Sequence, residues 1–474
     1  MPSYANSPGD ARGHPQAGPR HVLMVLYHFP PVGGVSVARN VRNVQYLPDC
    51  GWNPVVIAPS AGASGISDSS VVHLIPEAAR VIRATSPEAG HVRRVAIRVR
   101  RLLRSRRLIA EGRPRHGSNE PPEGRTVIDS GGDPPLGLAW LRRLFFFPDD
   151  QVGWLPFALV AAVRATRSVP IDAMYSTSSP VTAHLIAGVV RRLTGTPWVA
   201  EFRDPWIGNP LAPRLPWLHR RLQTRLERWI VRGADRIVCV TPSMTRMYQR
   251  RYPGATVETI TNGYDRNEVV ARGPRRRTNG RYRIVYTGTL DRPPELQVLV
   301  EGLEVLTVRH PDLAAKLEIV FYGAVSPDCR SIIETRTDPT VAGMLRFQGF
   351  VPRASAIGAL ADADAALVLL GSGPGMEVFV GGKLYEYLGQ SRQILAVLPP
   401  GDARDVLTGL DWGVVAEPDA SSIADAVERL MALPAPERIA DPAGTYDRAN
   451  LAARLAESLT LASASNAHRE ALRR

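Results

Sequence analysis

The strongest constraint on this chain is an alternation that recurs along its length: a short unbroken apolar run, a turn rich in glycine or proline, a stretch of helical periodicity, then another apolar run. Residues 21–27 (HVLMVLY) open the series, Pro30, Pro31, Gly33 and Gly34 form the turn, 36–47 have helical spacing, and 55–58 form the next apolar run. A segment apolar at every position suits a strand covered on both faces, as in a parallel sheet flanked by helices. After an irregular insertion spanning 60–148 the pattern resumes, with strands expected at 172–176, 198–202 and 236–240 and helices at 181–193, 215–231 and 243–252. A polar stretch at 271–280 separates this half from a second series, with strands expected at 282–286, 317–321, 346–350, 365–370, 393–398 and 413–416. Alternation this regular predicts an α/β chain with two Rossmann-like doubly wound parallel sheets facing a cleft.

Length agrees, since 474 residues exceed what one hydrophobic core usually serves. The expected division is a loose tail over 1–20, an N-terminal domain over 21–268 carrying the insertion, a C-terminal domain over 281–440, and a helical segment and tail over 441–474. Cys50, Cys239 and Cys329 are widely separated, which excludes a Cys-x-x-Cys metal or redox motif and suits a reducing compartment. Neither a secretory leader nor a window of roughly 20 apolar residues is found, so a cytoplasmic protein is expected.

The formal charge of +13 is concentrated: residues 92–115 contain ten arginines against the single Glu111. Val92, Val95, Val99, Leu102 and Ile109 recur at helical spacing among them, which fits two readings equally, a solvated insertion or a basic amphipathic helix docking on an anionic membrane surface. The rest of the chain is nearly balanced, and no nucleic-acid partner is expected.

Several chemistries are excluded by inspection. The chain has no His-Glu-x-x-His, no Gly-x-Ser-x-Gly and no complete Gly-x-Gly-x-x-Gly; Leu384 follows Lys383 where a Walker A loop requires Ser or Thr. The residues left at strand ends are suggestive. Gly33 and Gly34 suit close backbone approach to an anion, or simply a tight turn. Gly288 and Arg292 follow the first strand of the second half, where a guanidinium could fork onto phosphate. Lys383, one of only two lysines, opens a helix in which Glu386 is three residues on; the two suit a diphosphate and ribose hydroxyls, or an ordinary ion pair. His184, expected to face the cleft, could serve catalysis or structure. Arg203 and Asp204 could bind a polar substrate or brace their loop. Asp362-Ala363-Asp364 has the look of a metal motif but leads into a buried strand, and no metal site is expected there.

In order, HFPPVGGVSVAR (28–39), SSPVTAH (178–184), EFRDPW (201–206), TNGYD (261–265), YTGTL (286–290) and GGKLYEYL (381–388) resemble the family-four-type glycosyltransferases of the GT-B fold. The resemblance spans roughly 22–433. It implies a glycosyltransferase moving a sugar from a nucleotide-sugar donor to a glycan or lipid-linked acceptor, with retention, without a metal or other cofactor, in cell-envelope or exopolysaccharide synthesis. A nucleotide-sugar epimerase, or a non-catalytic membrane- or nucleic-acid-binding relative, is the alternative. By the same resemblance Glu386 would bind the ribose, Lys383 and Arg292 the diphosphate, and Gly34 the phosphate side of the donor, with Gly33, Gly288 and Leu384 beside them. His184 would meet the sugar and act in catalysis with Asp204, and Arg203 would lie on the acceptor side. Where many relatives have a further glutamate eight positions before Glu386, this chain has Val378, with Glu377 one place away.

Overall fold

The structure, a computed structural model, describes residues 18–31, 35–60, 71–87, 147–212, 216–270, 280–335 and 337–471. Seven strands form the first sheet: β1 (Arg20–Val25), β2 (Trp52–Pro59), β3 (Arg80–Ala84), β4 (Ala173–Ser178), β5 (Trp198–Phe202), β6 (Arg236–Cys239) and β7 (Val257–Thr259). They are parallel throughout, in the order β3-β2-β1-β4-β5-β6-β7. The second sheet comprises β8 (Tyr282–Thr287), β9 (Leu317–Tyr322), β10 (Leu345–Gly349), β11 (Ala365–Leu369), β12 (Gln393–Val397) and β13 (Val414–Ala416), also parallel, in the order β10-β9-β8-β11-β12-β13. The apolar runs become the central strands because helices cover both faces: Val22, Leu23, Met24 and Val25 of β1 are without exposed surface, and alternate between two separate cores.

Two strands depart from the sequence reading. β3 lies inside the segment expected to be irregular; two of its five residues are arginine, a composition an edge strand tolerates and a periodicity argument overlooks. β7, at three residues, is too short to display a period. Most of the insertion, including 92–115, lies outside the described residues. No described helix is long and apolar enough to cross a membrane.

The last helix, Arg448–Ala471, follows the second sheet in sequence yet packs on the first: Leu451, Leu455 and Leu459 share a core with Val22, Met24, Val37 and Val41. Its approach explains Gly263, where a Cβ would run into the backbone of Tyr446. Tyr264 is tied to this returning chain, its amide donating to the Tyr446 carbonyl at 2.9 Å and its carbonyl accepting from the Arg448 amide at 2.8 Å. The halves also meet where Thr241 Oγ1 donates to the Val378 carbonyl at 2.9 Å and Ser243 Oγ to Asp402 Oδ1 at 2.8 Å. Val378 is buried in the core of the first half and forms an apolar plug between the domains, while Glu377 is exposed.

Strand order reverses between β1 and β4 and again between β8 and β11. In open α/β sheets ligands bind beyond the C-terminal strand ends at such points.

Candidate functional site

The second half contributes a cation held against a turn. Past β8 the chain bends at Gly288, whose φ of +117° is glycine territory. Space is short as well: a Cβ there would stand 2.5 Å from Cε and 2.8 Å from Nζ of Lys383. Lys383 arrives from the helix Gly382–Gly389, and its Nζ donates to Tyr286 Oη at 2.6 Å and lies 3.8 Å from the centroid of that ring. Tyr286 Oη donates onward to the Thr289 carbonyl at 2.9 Å, so the ammonium meets a lone pair and a ring face, and among the described residues no carboxylate is bonded to it. Burial lowers the Lys383 pKa to about 8, with Asp291 and Glu386 opposing and Arg292 adding to the depression. Arg292 stands at the head of the helix Pro293–Arg309, its guanidinium 40% exposed and 3.6 Å from Glu295. Both cations therefore sit at the β8 and β11 ends, where the sheet switches.

Glu386 shares the helix face with Lys383 but the two form no ion pair. Its Oε1 accepts from Arg353 at 2.9 Å; Arg353 also reaches Glu268 at 2.7 Å, Glu268 accepts from Arg42 at 2.8 Å, and Arg42 holds Asp265 at 2.7 Å. This ladder runs from the second half through the segment after β7 to the first helix, Val35–Tyr46. Burial by itself would raise the Glu268 pKa, yet Arg353 and Arg42 hold it below the usual carboxylate range.

The first half supplies a buried charge pair and a polar rim. Glu201, at the end of β5, accepts from Tyr175 at 2.6 Å, from Thr177 at 2.8 Å and from Arg39. Burial pushes this carboxyl up, and Arg39 with the two hydroxyls outweighs it, keeping the pKa low. Arg39 further donates to the carbonyls of Thr261 at 2.6 Å and Ile260 at 3.1 Å, which fixes the TNGYD segment to the first helix. Beyond the strands, His28 is held neutral: burial, aided by the charge of Arg203, lowers its pKa to about 4. Arg203 Nε braces the Ser178 carbonyl at 3.0 Å. Asp204 lines a pocket of ≈ 230 Å³ with Ser178, Ser179, Trp206, Asn209 and Gln223, and burial raises its pKa against the pull of Arg203.

Two expected site residues are not at the cleft. His184 has no exposed surface. At the start of the helix Thr182–Thr194 its side chain turns onto the sheet, where the ring lies 4.7 Å from that of Phe202 and Nδ1 is 2.8 Å from Ser176 Oγ. Ser176 Oγ also accepts from Trp198 Nε1 at 2.8 Å, while Nε2 of His184 is buried without a hydrogen-bond partner. Desolvation drives the His184 pKa to about 3. Leu384 is likewise buried, packed with Val285 and Leu388, and its amide is spent on the Gly381 carbonyl at 3.1 Å; the helix turns that position inward. Gly33 and Gly34 lie outside the described residues. In the Asp-x-Asp motif Asp364 accepts the Arg283 amide at 2.9 Å and Asp362 ends a helix.

Sequence reasoning passed over His28 and Arg39, although both stand inside the HFPPVGGVSVAR motif, and over Arg353, Glu268 and Arg42, whose side chains meet only through the fold. Nothing local marks these last three.

Residues 117–268 match the family model "Glycosyltransferase Family 4". None of the curated proteins is significantly similar to the sequence. Solved structures that share the whole architecture include sucrose-phosphate synthase of Thermosynechococcus elongatus (13% identity, 96% of this chain and 98% of that one, TM-score 0.55). An α,α-trehalose-phosphate synthase (UDP-forming) of Burkholderia vietnamiensis (14%, 94% and 99%, 0.56) and HepE of Anabaena in complex with UDP (13%, 95% and 99%, 0.53) share it too. With two parallel sheets switching at facing edges and a helix crossing back to the first, the chain has the GT-B fold of these structures, and the segment 117–268 of its first half is similar to Glycosyltransferase Family 4.

Proposed function

We propose that the enzyme transfers a sugar from a nucleotide-sugar donor to a hydroxyl of a glycan or lipid-linked acceptor, with retention and with protein cations in place of a metal. One observation carries the reading: Lys383 is held, partly buried and, among the described residues, free of a bonded carboxylate, on the Gly288 turn in the field of Arg292. When the anomeric bond breaks, charge accumulates on the departing diphosphate, and a cation already positioned and partly shielded from water stabilises it with little reorganisation. Glu386 supports the ribose assignment because Arg353 occupies one carboxylate oxygen and leaves the other for hydroxyls. Asp204, Arg203 and the neutral His28 suit the acceptor side, where a hydroxyl must be oriented and lose its proton. Binding of UDP by HepE, a protein of the same fold, favours a nucleoside diphosphate as leaving group. The basic segment 92–115 suits attachment to an anionic bilayer on the cytoplasmic side, where a lipid-linked acceptor would be met.

Thermal-shift titration of the full chain with UDP-, GDP- and ADP-sugars, followed by product analysis with the stabilising donor, tests this. A donor should raise the melting temperature of the parent and not of Lys383→Ala, and its sugar should reach an acceptor. If no donor stabilises the parent, or Lys383→Ala binds donor like the parent, the reading fails.

A further inference from the structure

The helix Trp217–Gly233 is turned inside out at its start. Its inward face buries His219, Gln223 and Glu227, while Trp217, Leu218 and Leu222 in its first two turns are 67%, 44% and 40% exposed. Water favours the opposite arrangement, so a tryptophan and two leucines together on an outer helix face call for a cover. Charge is sorted in the same direction. The helix contains five arginines, Arg220, Arg221, Arg225, Arg228 and Arg232, and one acid. All five arginines are exposed, whereas Glu227 is buried and accepts from Arg251 at 2.9 Å and Tyr252 at 2.7 Å. With its only acid turned inward, the helix presents an outer face that is cationic along its length and apolar at its start.

That start stands at the ligand side of the sheet. The helix runs back from the loop after β5, so its first turns lie where the strands end and open α/β sheets bind ligands. Gln223 Nε2 donates to the Trp206 carbonyl at 2.7 Å, and Gln223 and Ala212 both line the Asp204 pocket. Their chain neighbours Leu222 and Leu211, the latter 48% exposed, therefore border that pocket with apolar surface.

We propose that this face docks on an anionic lipid bilayer, with Trp217, Leu218 and Leu222 entering the headgroup boundary and the arginines resting on lipid phosphates. A second copy fits poorly, because an isologous contact would set like charges against each other. Docking involves neither Lys383 nor the segment 92–115; that it presents a lipid-linked acceptor to the Asp204 pocket rests on the acceptor reading given above.

Co-sedimentation of the full chain, without donor, with vesicles of phosphatidylcholine alone or mixed equally with phosphatidylglycerol tests this. The parent should bind the mixed vesicles far better than the neutral ones. Trp217→Ser combined with Leu222→Ser should weaken that binding about 10- to 100-fold, and Arg221→Gln combined with Arg225→Gln about 10- to 30-fold. Both variants should melt like the parent, since the side chains removed are exposed. A parent with no preference for the mixed vesicles overturns the proposal. So do variants that bind like the parent, which would assign the contact to 92–115. Self-association of the parent in sedimentation velocity that Trp217→Ser with Leu222→Ser abolishes would overturn it too, by making a second copy the cover. Vesicle binding that follows these residues while no nucleotide sugar stabilises the chain supports docking and defeats the donor reading alone.

Discussion

Gly288 and Lys383 interlock: the lysine side chain fills the space where a Cβ of residue 288 would be, 2.5 Å from its Cε. Gly288→Ala therefore meets two penalties, the +117° φ and the collision. The backbone term alone is about 1–3 kcal/mol. Melting temperature should fall, and donor affinity should fall with it because Nζ is displaced from Tyr286; retention of full affinity in the variant would show that the ammonium is not positioned by this turn.

Donor affinity should depend on pH through Lys383. Its pKa of about 8 in the free enzyme means the cation is present below that value and is lost as pH rises through it. A bound diphosphate holds the proton, so the dissociation constant should increase by up to about tenfold per pH unit above 8. Lys383→Arg should bind with no such slope, since a guanidinium does not titrate there. A flat profile in the parent would disconnect the lysine from the diphosphate.

Arg353 should act as a positioning residue through Glu386. Their bridge is about a third exposed on both sides, so its removal costs little stability, and Arg353→Ala should weaken donor binding by up to about fivefold with kcat largely kept. Arg353→Lys should restore part of it. Kinetics with saturating donor check this, and a variant that lost kcat while keeping KM would point to contact with the reacting atoms.

His184→Ala should destabilise by about 2–4 kcal/mol as a core truncation, while turnover per folded molecule stays near that of the parent. Both His184, at about 3, and His28, at about 4, have folded-state values below the ordinary 6.5, so each is kept neutral and protonation favours unfolding. Stability should be full above pH 6.5 and decline as pH falls toward 3, by at most about 1.4 kcal/mol per unit for each histidine. Denaturation at pH 7 and pH 5 measures the slope, and replacing His184 by Ala should reduce it.

Much of the architecture was legible because it is written in local pattern. Strand β5 coincides with the expected 198–202, and the glycine-punctuated runs 21–27 and 282–286 fall on the central strands β1 and β8, since burial on both faces leaves an apolar signature that needs no tertiary knowledge. The same locality made Lys383 and Glu386 conspicuous, as one helical turn separates them. β3 escaped for the converse reason: an edge strand is covered on fewer sides and reads as polar.

The sequence by itself determined that two parallel sheets would form and which loops would stand at their ends, because helix and strand periods depend only on near neighbours. Tertiary structure alone decided that His184 turns inward onto Phe202, that Glu386 is bound by Arg353, and that the helix opening at Arg448 returns to pack on the first sheet. Side-chain direction at a helix start, and the pairing of charges hundreds of residues apart, are set by what the rest of the chain leaves room for, and no local pattern contains that information.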